Sequence, residues 1–510
     1  MEIIWSTVLT VWGWLLDHLL YINLAFSIII IFFQRRDPRS VWTWLLALYF
    51  IPVFGIVFYL LFGQDMKKSR MFRVKEVSDR LNLPVKSQED IIRSDDMPEE
   101  MMDPMSRDFK SLIIYNLETS GSVLTVNNQV QIYTDGQAKF EALRNALRQA
   151  RRFIHIQYYI IKNDELFDSI VPILLDKVRE GVEVRILCDG MGGRFMPKKR
   201  WDQMRRAGIK VGVFFPPFLG WLNLRVNYRN HRKIVVVDGA AGFVGGFNIG
   251  REYISRDPKF GYWRDTHLEI KGEAAISLQI RFALDWNYVT GENLFKEIRY
   301  FGEEAEYARR RLNGQIHAVW PDPDHVNEMV CMQIITSGPD TREPHIRNNY
   351  LELFHKAKHH IYIQTPYFIP DDAIFSSLKI AALSGVDVRL MIPCKPDHPF
   401  VYWATCSYAG ELLDYGARVY VYENGFLHSK GIMVDGRVSC YGTANMDIRS
   451  FELNFEVNAT IYDEDVTGQL EEAFMNDLPH CREITREEYG DRNLWMRIKE
   501  QSSRLLSPLL

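Results

Sequence analysis

Two short stretches of the chain carry the residue types that phosphoryl chemistry needs. His231-Arg-Lys233-Ile-Val-Val-Val-Asp238 and His428-Ser-Lys430-Gly-Ile-Met-Val-Asp435 share the spacing H-x-K-x4-D. Each continues to Gly-x-x-Asn at the same distance, Gly245 and Asn248 in the first, Gly442 and Asn445 in the second. An imidazole nitrogen can attack phosphorus directly, or carry a proton to and from a departing oxygen. A phosphodiester is anionic, so cations and donors around its nonbridging oxygens must offset the charge the nucleophile meets. Lys233 and Lys430 suit that task, with Asn248 and Asn445 as neutral phosphate-binding donors.

These residues need strands to hold them. Apolar residues after each lysine mark a strand, on which residues two apart share a face. Each histidine therefore points the same way as its lysine. Asp238 and Asp435 come five residues after the lysines, at the strand's end, where a carboxylate braces a turn or neighbour more readily than it touches substrate.

The motifs sit at equivalent places in a larger repeat. Arg152-Phe-Ile-His-Ile-Gln157 reads as a strand, followed by a helix over 166–180 and a strand over 182–187. The later copy runs His359-His-Ile-Tyr-Ile-Gln364, then a helix over 372–384 and a strand over 386–392. Gly181-Val-Glu-Val-Arg185 and Gly385-Val-Asp-Val-Arg389 match at an offset of 204. Strand–helix–strand order predicts an α/β fold with partly parallel sheets, duplicated once rather than wound as a solenoid. The copies are expected over 110–320, with its motif at 231–238, and 321–510, with its motif at 428–435. One histidine per copy puts the site between the copies.

Ahead of the repeat lies an apolar region. Val41 to Phe62 is 22 residues without a formal charge, enough to cover a bilayer core of about 30 Å. Further upstream, Ile3 to Phe33 is apolar except for Asp17 and His18. Residues 1–66 are expected to form a membrane anchor, a hairpin of transmembrane helices at about 13–33 and 41–62. Residues 67–109 read as a polar linker. Arg35, Arg36 and Arg39 flank one side and Lys67, Lys68, Arg70 and Arg73 the other. The slight excess after the second span favours a cytoplasmic catalytic body.

Composition narrows the function further. The chain has 510 residues, is 47% hydrophobic and carries a net charge of −4. That acidity argues against a nucleic-acid partner, which needs a basic excess. Six cysteines, Cys188, Cys331, Cys394, Cys406, Cys440 and Cys481, show no metal-type spacing and read as reduced thiols. No phosphate-binding Gly-rich loop of the nucleotide-dependent kind occurs, and no metal or other cofactor is expected.

Paired H-x-K-x4-D motifs identify the chain as a member of the phospholipase D superfamily. The wider pattern resembles bacterial cardiolipin synthases: Arg35-Arg-Asp-Pro-Arg39 between two apolar stretches, Trp263-Arg-Asp-Thr-His267 after the first motif, and Asn445-Met-Asp-Ile-Arg-Ser-Phe-Glu-Leu-Asn-Phe-Glu456 after the second. The resemblance covers essentially the whole chain. It implies two α/β/α domains related by a pseudo-twofold axis, at a bacterial plasma membrane, with a phospholipid, phosphatidylglycerol, as substrate. It implies a catalytic set of His231, Lys233, Asp238, His428, Lys430 and Asp435. It also implies two-step transfer through a phosphohistidine, with His231 as nucleophile and His428 as general acid and base. The near-symmetry of the copies does not itself decide between the histidines. Each imidazole needs a carboxylate to fix its tautomer. Asp265 is the candidate in the first copy and Glu456 in the second.

Three other activities share these features in part: a phospholipase D releasing phosphatidic acid, a phosphodiesterase or nuclease of the same superfamily, and a non-catalytic membrane scaffold. Oligomeric state is not legible. Upstream of His231, Val213 to Leu224 reads VFFPPFLGWLNL, and Phe214, Phe215, Phe218, Trp221 and Leu222 form an apolar load around two prolines. This loop is expected to dip into the membrane interface or line an acyl groove.

Overall fold

The computed structural model describes residues 14, 17–33, 38–62, 107–216, 227–301, 330–341 and 343–505. The repeat is present as two mixed sheets of matching order. In the first, Asn128–Tyr133, His267–Gly272, Ala241–Gly245, Ile234–Val237, Phe153–Tyr158, Glu183–Asp189 and Lys210–Phe214 lie side by side. The second runs Cys331–Ser337, Asn454–Tyr462, Val438–Gly442, Gly431–Val434, His360–Gln364, Asp387–Pro393 and Arg418–Tyr422, with Leu124–Thr125 and Cys481–Ile484 at its edges. In each, three consecutive strands joined through helices are parallel and the motif strand is antiparallel to its neighbours.

The predicted helices occur at Glu165–Arg179 and Asp372–Leu383. Each starts at an aspartate, Asp164 or Asp371, whose carboxylate accepts first-turn backbone N–H groups. That capping offsets donors a helix start otherwise leaves unpaired. Side chains of both sheets meet in one shared core, where Val236, Val244 and Phe282 pack with Met391, Tyr420, Phe455 and Val457. The outer faces are covered by separate helical layers. Lys110–Ser120 and Leu124–Thr125, expected in the first copy, instead join the core and sheet of the second.

The expected hairpin of two membrane spans is not confirmed in the N-terminal region. Among the described residues, no helix is long and apolar enough to cross a membrane. The first apolar stretch is a helix over Leu19–Ile28 continued by π-helical Ile29–Phe33. The second, expected as one span over 41–62, is broken at Ile51 into Pro38–Phe50 and Pro52–Phe62. Pro52 has no N–H to give the carbonyl four residues back, and its ring disfavours a continuous helix. That carbonyl, of Leu48, accepts instead from the Asn23 side chain at 2.8 Å. Gly55 lies inside the bend, where an added Cβ would meet the Ala47 carbonyl at 2.3 Å. Lys67, Lys68, Arg70, Arg73, Arg35 and Arg36 lie outside the described residues.

Candidate active site

Each motif leaves its own half before it begins. Arg229–Asn230, just ahead of His231, pairs in parallel with Asn454–Phe455 of the second half. Phe426–Leu427, just ahead of His428, pairs in parallel with Trp263–Arg264 of the first. The exchange is closed by the histidines' own backbones: His231 N–H donates to Phe455 O at 2.9 Å and His428 N–H to Arg264 O at 2.7 Å. Both imidazoles are thereby set at the junction of the halves, as their duplication predicted.

The exchange also decides which carboxylate each imidazole meets. His231 Nδ1 lies 2.9 and 3.0 Å from the two oxygens of Glu456, and His428 Nδ1 lies 2.6 Å from Asp265 Oδ2. Glu456 and Asp265 are the carboxylates that meet the imidazoles, but the pairs are crossed relative to those expected. The carboxylate of each half serves the histidine of the other, because Asp265 and Glu456 directly follow the backbone acceptors Arg264 and Phe455. Both carboxylates are fully buried. Glu456 also accepts from Thr443 Oγ1 at 2.6 Å. At the corresponding place the first half has Gly246, where a Cβ would fall 1.9 Å from Asp265 Oδ1. Asp265 instead accepts from the Thr266 N–H at 2.8 Å and Trp263 Nε1 at 3.4 Å.

The lysines complete a compact charge cluster. Lys233 Nζ donates to His231 O at 2.6 Å, and Lys430 donates to His428 O. Lys430 Nζ also stands 2.8 Å from His428 Nδ1. That nitrogen cannot both donate to Asp265 and accept from the ammonium, so proximity of charge rather than a second hydrogen bond describes this contact. Burial lowers Lys233 to a pKa of about 7 and Lys430 to about 8, against the pull of Glu456 and Asp265 toward higher values. Burial, then Lys430, lowers His428 to about 4. His231 is also lowered, first by burial, with Glu456 opposing. Lys233 acts on His428 and Lys430 on His231, so the two motifs share one electrostatic site. Without a bound anion both imidazoles are neutral near pH 7.

Asp238 and Asp435 do not enter this cluster. Asp238 accepts from the backbone N–H groups of Arg151, Arg152 and Phe153 at 2.7, 2.7 and 2.8 Å. Asp435 does the same for Lys358, His359 and His360, each at 2.8 Å. Both tie the far end of the motif strand to the start of its neighbour, so their place in the motif is that of a brace. Asn248 is held by Ile160 N–H at 3.1 Å and Tyr253 OH at 3.1 Å. Asn445 Oδ1 is buried and accepts no hydrogen bond among the described residues, and the donor this amide offers a phosphate oxygen is Nδ2.

Several supporting residues escaped the sequence reading. Gln157 donates to Asp285 at 2.8 Å and Gln364 to Asp477 at 2.9 Å, at matching places in the two sheets. Arg232 then binds Asp285 with one nitrogen, at 2.8 and 2.7 Å, and Arg264 binds Asp477 through two. The repeated Ile-Gln at the strand ends was the available signal. Tyr159 meets the His231 ring edge-on at 5.1 Å between centroids. Phe214 and Phe215 are core residues packed against Phe455, not an exposed acyl groove. Phe218, Trp221 and Leu222 lie outside the described residues. Of the six cysteines, all free, Cys188 and Cys440 are buried and the others half-buried.

The chain is similar to known proteins over most of its length. Residues 143–266 and 350–478 match the family described as "Cardiolipin synthase, PLD-like domain", and 22–64 match "Phospholipase_D-nuclease N-terminal". The chain is 47% identical to cardiolipin synthase 2 of Staphylococcus epidermidis, over 96% of both chains. It is 45% identical to the major cardiolipin synthase of Bacillus subtilis, over 97% of this chain and 99% of that one. A cardiolipin synthase of Staphylococcus aureus is 46% identical over 96% and 95%. In fold, the chain resembles the crystal structure of phosphatidylserine synthase from Haemophilus influenzae, with TM-score 0.57 at 15% identity over 80% of this chain and 98% of that one.

Proposed function

The chain belongs to the cardiolipin synthase family of phospholipase D-like proteins, and we propose that it transfers a phosphatidyl group from one phosphatidylglycerol to the hydroxyl of another. The observation that carries this reading is the pair of crossed imidazole–carboxylate contacts at the junction of the halves. A carboxylate on Nδ1 holds that nitrogen as the N–H donor and leaves Nε2 with its lone pair. His231 Nε2 attacks phosphorus, forming an N–P bond as the bond to the departing glycerol oxygen breaks. His428, protonated once the anionic substrate offsets its neighbouring lysines, gives its proton to that oxygen. It then takes the proton of the incoming headgroup hydroxyl, whose oxygen displaces His231 from phosphorus. One diester replaces another, so no nucleotide is consumed. Lys233, Lys430 and Asn445 bind the nonbridging oxygens.

The body works at the inner face of the bacterial plasma membrane, brought there by its apolar N-terminal helices. Exposed Leu20, Leu24, Phe32, Trp42, Phe50 and Phe58 on those helices support that location. A site held at lipid sees little bulk water, which favours a lipid hydroxyl over hydrolysis. Incubating the purified chain with labelled phosphatidylglycerol tests the reading, with cardiolipin and free glycerol as the expected products. Phosphatidic acid alone would make the chain a hydrolase. No product, or turnover of nucleic acid only, would reject the phosphatidyl transfer outright.

A further inference from the structure

The last helix of the body, Leu494–Leu505, is packed inside out. Its buried residues are Glu500 and Ser503, 1% and 2% exposed. Apart from half-buried Met496, its large apolar residues face outward: Leu494 is 74% exposed, Trp495 64%, Ile498 44% and Leu505 77%. A helix packed for stability alone turns its apolar stripe to the core. Here the contacts holding it are polar. Arg504 bridges to Glu411 at 2.6 Å, and Arg492 reaches Glu500 at 3.3 Å. The Arg504 guanidinium also lies 4.3 Å over Tyr408.

We propose that this helix lies in the membrane interface and sets the body's active-site mouth against the lipid, a surface additional to the N-terminal helices. The inference rests on the lipid-substrate reading above. Its occupant follows from chemistry and place. Besides Arg504, which is engaged with the body, the helix carries Arg497 and Lys499, while its one acidic residue, Glu500, is turned inward. An apolar stripe with Trp and flanking cations suits an anionic bilayer surface. Lys499 Nζ lies 5.0 Å from the Trp403 ring and 5.6 Å from the Trp495 ring, a basic side chain whose stem runs along aromatic surface. The helix below it, Pro399–Leu412, starts with Phe400, itself 58% exposed. Pro399 directly follows His398 and Asp397, and Asp397 accepts from the Tyr367 hydroxyl, next to the strand Phe368–Ile369 that pairs with Met446–Asp447 beside Asn445. The end of the helix that exposes Phe400 is thereby tied to the strand beside the catalytic cluster.

The test uses the full chain and two readouts. A spin label at Ile498→Cys, with labelling of the native cysteines subtracted, should gain oxygen accessibility and lose aqueous-relaxer accessibility when phosphatidylglycerol vesicles are added. A label at Glu141→Cys, exposed on the outer helix Gly136–Gln149 of the other half, should stay aqueous. Unchanged aqueous exposure at 498, or label-to-label coupling showing a second copy on this face, would overturn the inference. This readout needs no turnover, so its failure is separable from failure of the transfer reaction. In the second readout, Trp495→Glu with Ile498→Glu should lower turnover on vesicles about tenfold. Turnover of short-chain phosphatidylglycerol below its micelle concentration should be kept. Equal loss on both, or loss on neither, would also overturn it.

Discussion

His231 and His428 are matched in position but not in surroundings. Glu456 meets both sides of Nδ1 and is steadied by a threonine hydroxyl, while Asp265 shares its imidazole with the Lys430 ammonium. Replacing either histidine with alanine removes a bond-making or proton-carrying group, and turnover should fall below detection in a labelled-lipid assay. Glu456→Gln and Asp265→Asn leave the shape but remove the charge that fixes each tautomer. Each should lower kcat on the order of 10²–10⁴-fold with little change in thermal midpoint. After Asp265→Asn, samples quenched in alkaline denaturant, where the N–P bond survives, should still show phosphohistidine at 231.

The buried bases also tie stability to pH. Lys233 and Lys430, ordinarily near 10.5, release protons at about 7 and 8 in the fold. From there to 10.5 the unfolded chain binds protons that the folded chain does not, so stability from these groups rises with pH. His428, at about 4 against 6.5, has the same sign lower down, and its contribution falls as pH drops from 6.5 to 4. Melting curves across pH should show both slopes. The alkaline one should flatten in Lys233→Met with Lys430→Met, and the acid one should weaken in His428→Gln.

At the scale of elements, the motif aspartates are the informative pair. Asp238 and Asp435 sit at φ of 56° and 55°, in the left-handed region, each holding three backbone N–H groups of the neighbouring strand. Alanine at either position leaves those donors without their acceptor, in a conformation alanine disfavours. Urea unfolding should show a loss of about 2–4 kcal/mol, while the folded fraction keeps kcat within a few-fold. Asn replacement, which tolerates that φ and still accepts, should cost less. A collapse of kcat in a fully folded Asp238→Asn chain would instead place this carboxylate in the chemistry. The five-residue step from lysine to aspartate already pointed to a brace, because it carries the aspartate to the far end of a short strand. The N-terminal break was less legible. Pro52 and Gly55 were visible, but only the fold shows Asn23 reaching the carbonyl that Pro52 leaves unpaired.

At the scale of the whole molecule, the halves are joined by exchanged strands, a shared core, the Arg264–Asp477 bridge and the Arg232 hydrogen bonds to the Glu456 and Ser337 carbonyls. Neither half holds a complete imidazole–carboxylate pair. A protease site engineered between residues 302 and 329 should, after cleavage, leave the halves co-eluting in gel filtration and still turning over lipid. Fragments expressed and purified apart should be inactive until mixed. Activity in one isolated half would contradict the crossed arrangement.

The amino-acid sequence alone determined the chemistry and the duplication. Residue types and two-residue spacing are local properties, and a repeat displays them twice, so the histidines, lysines, bracing aspartates and α/β order could all be read in line. The partnering of Asp265 with His428 and of Glu456 with His231 belongs to the tertiary structure. It depends on which strand edge each pre-motif segment joins, a contact between residues about 160 to 225 positions apart that no local pattern encodes. The same holds for the inward face of the last helix, since periodicity shows that a stripe exists but not which side the body covers.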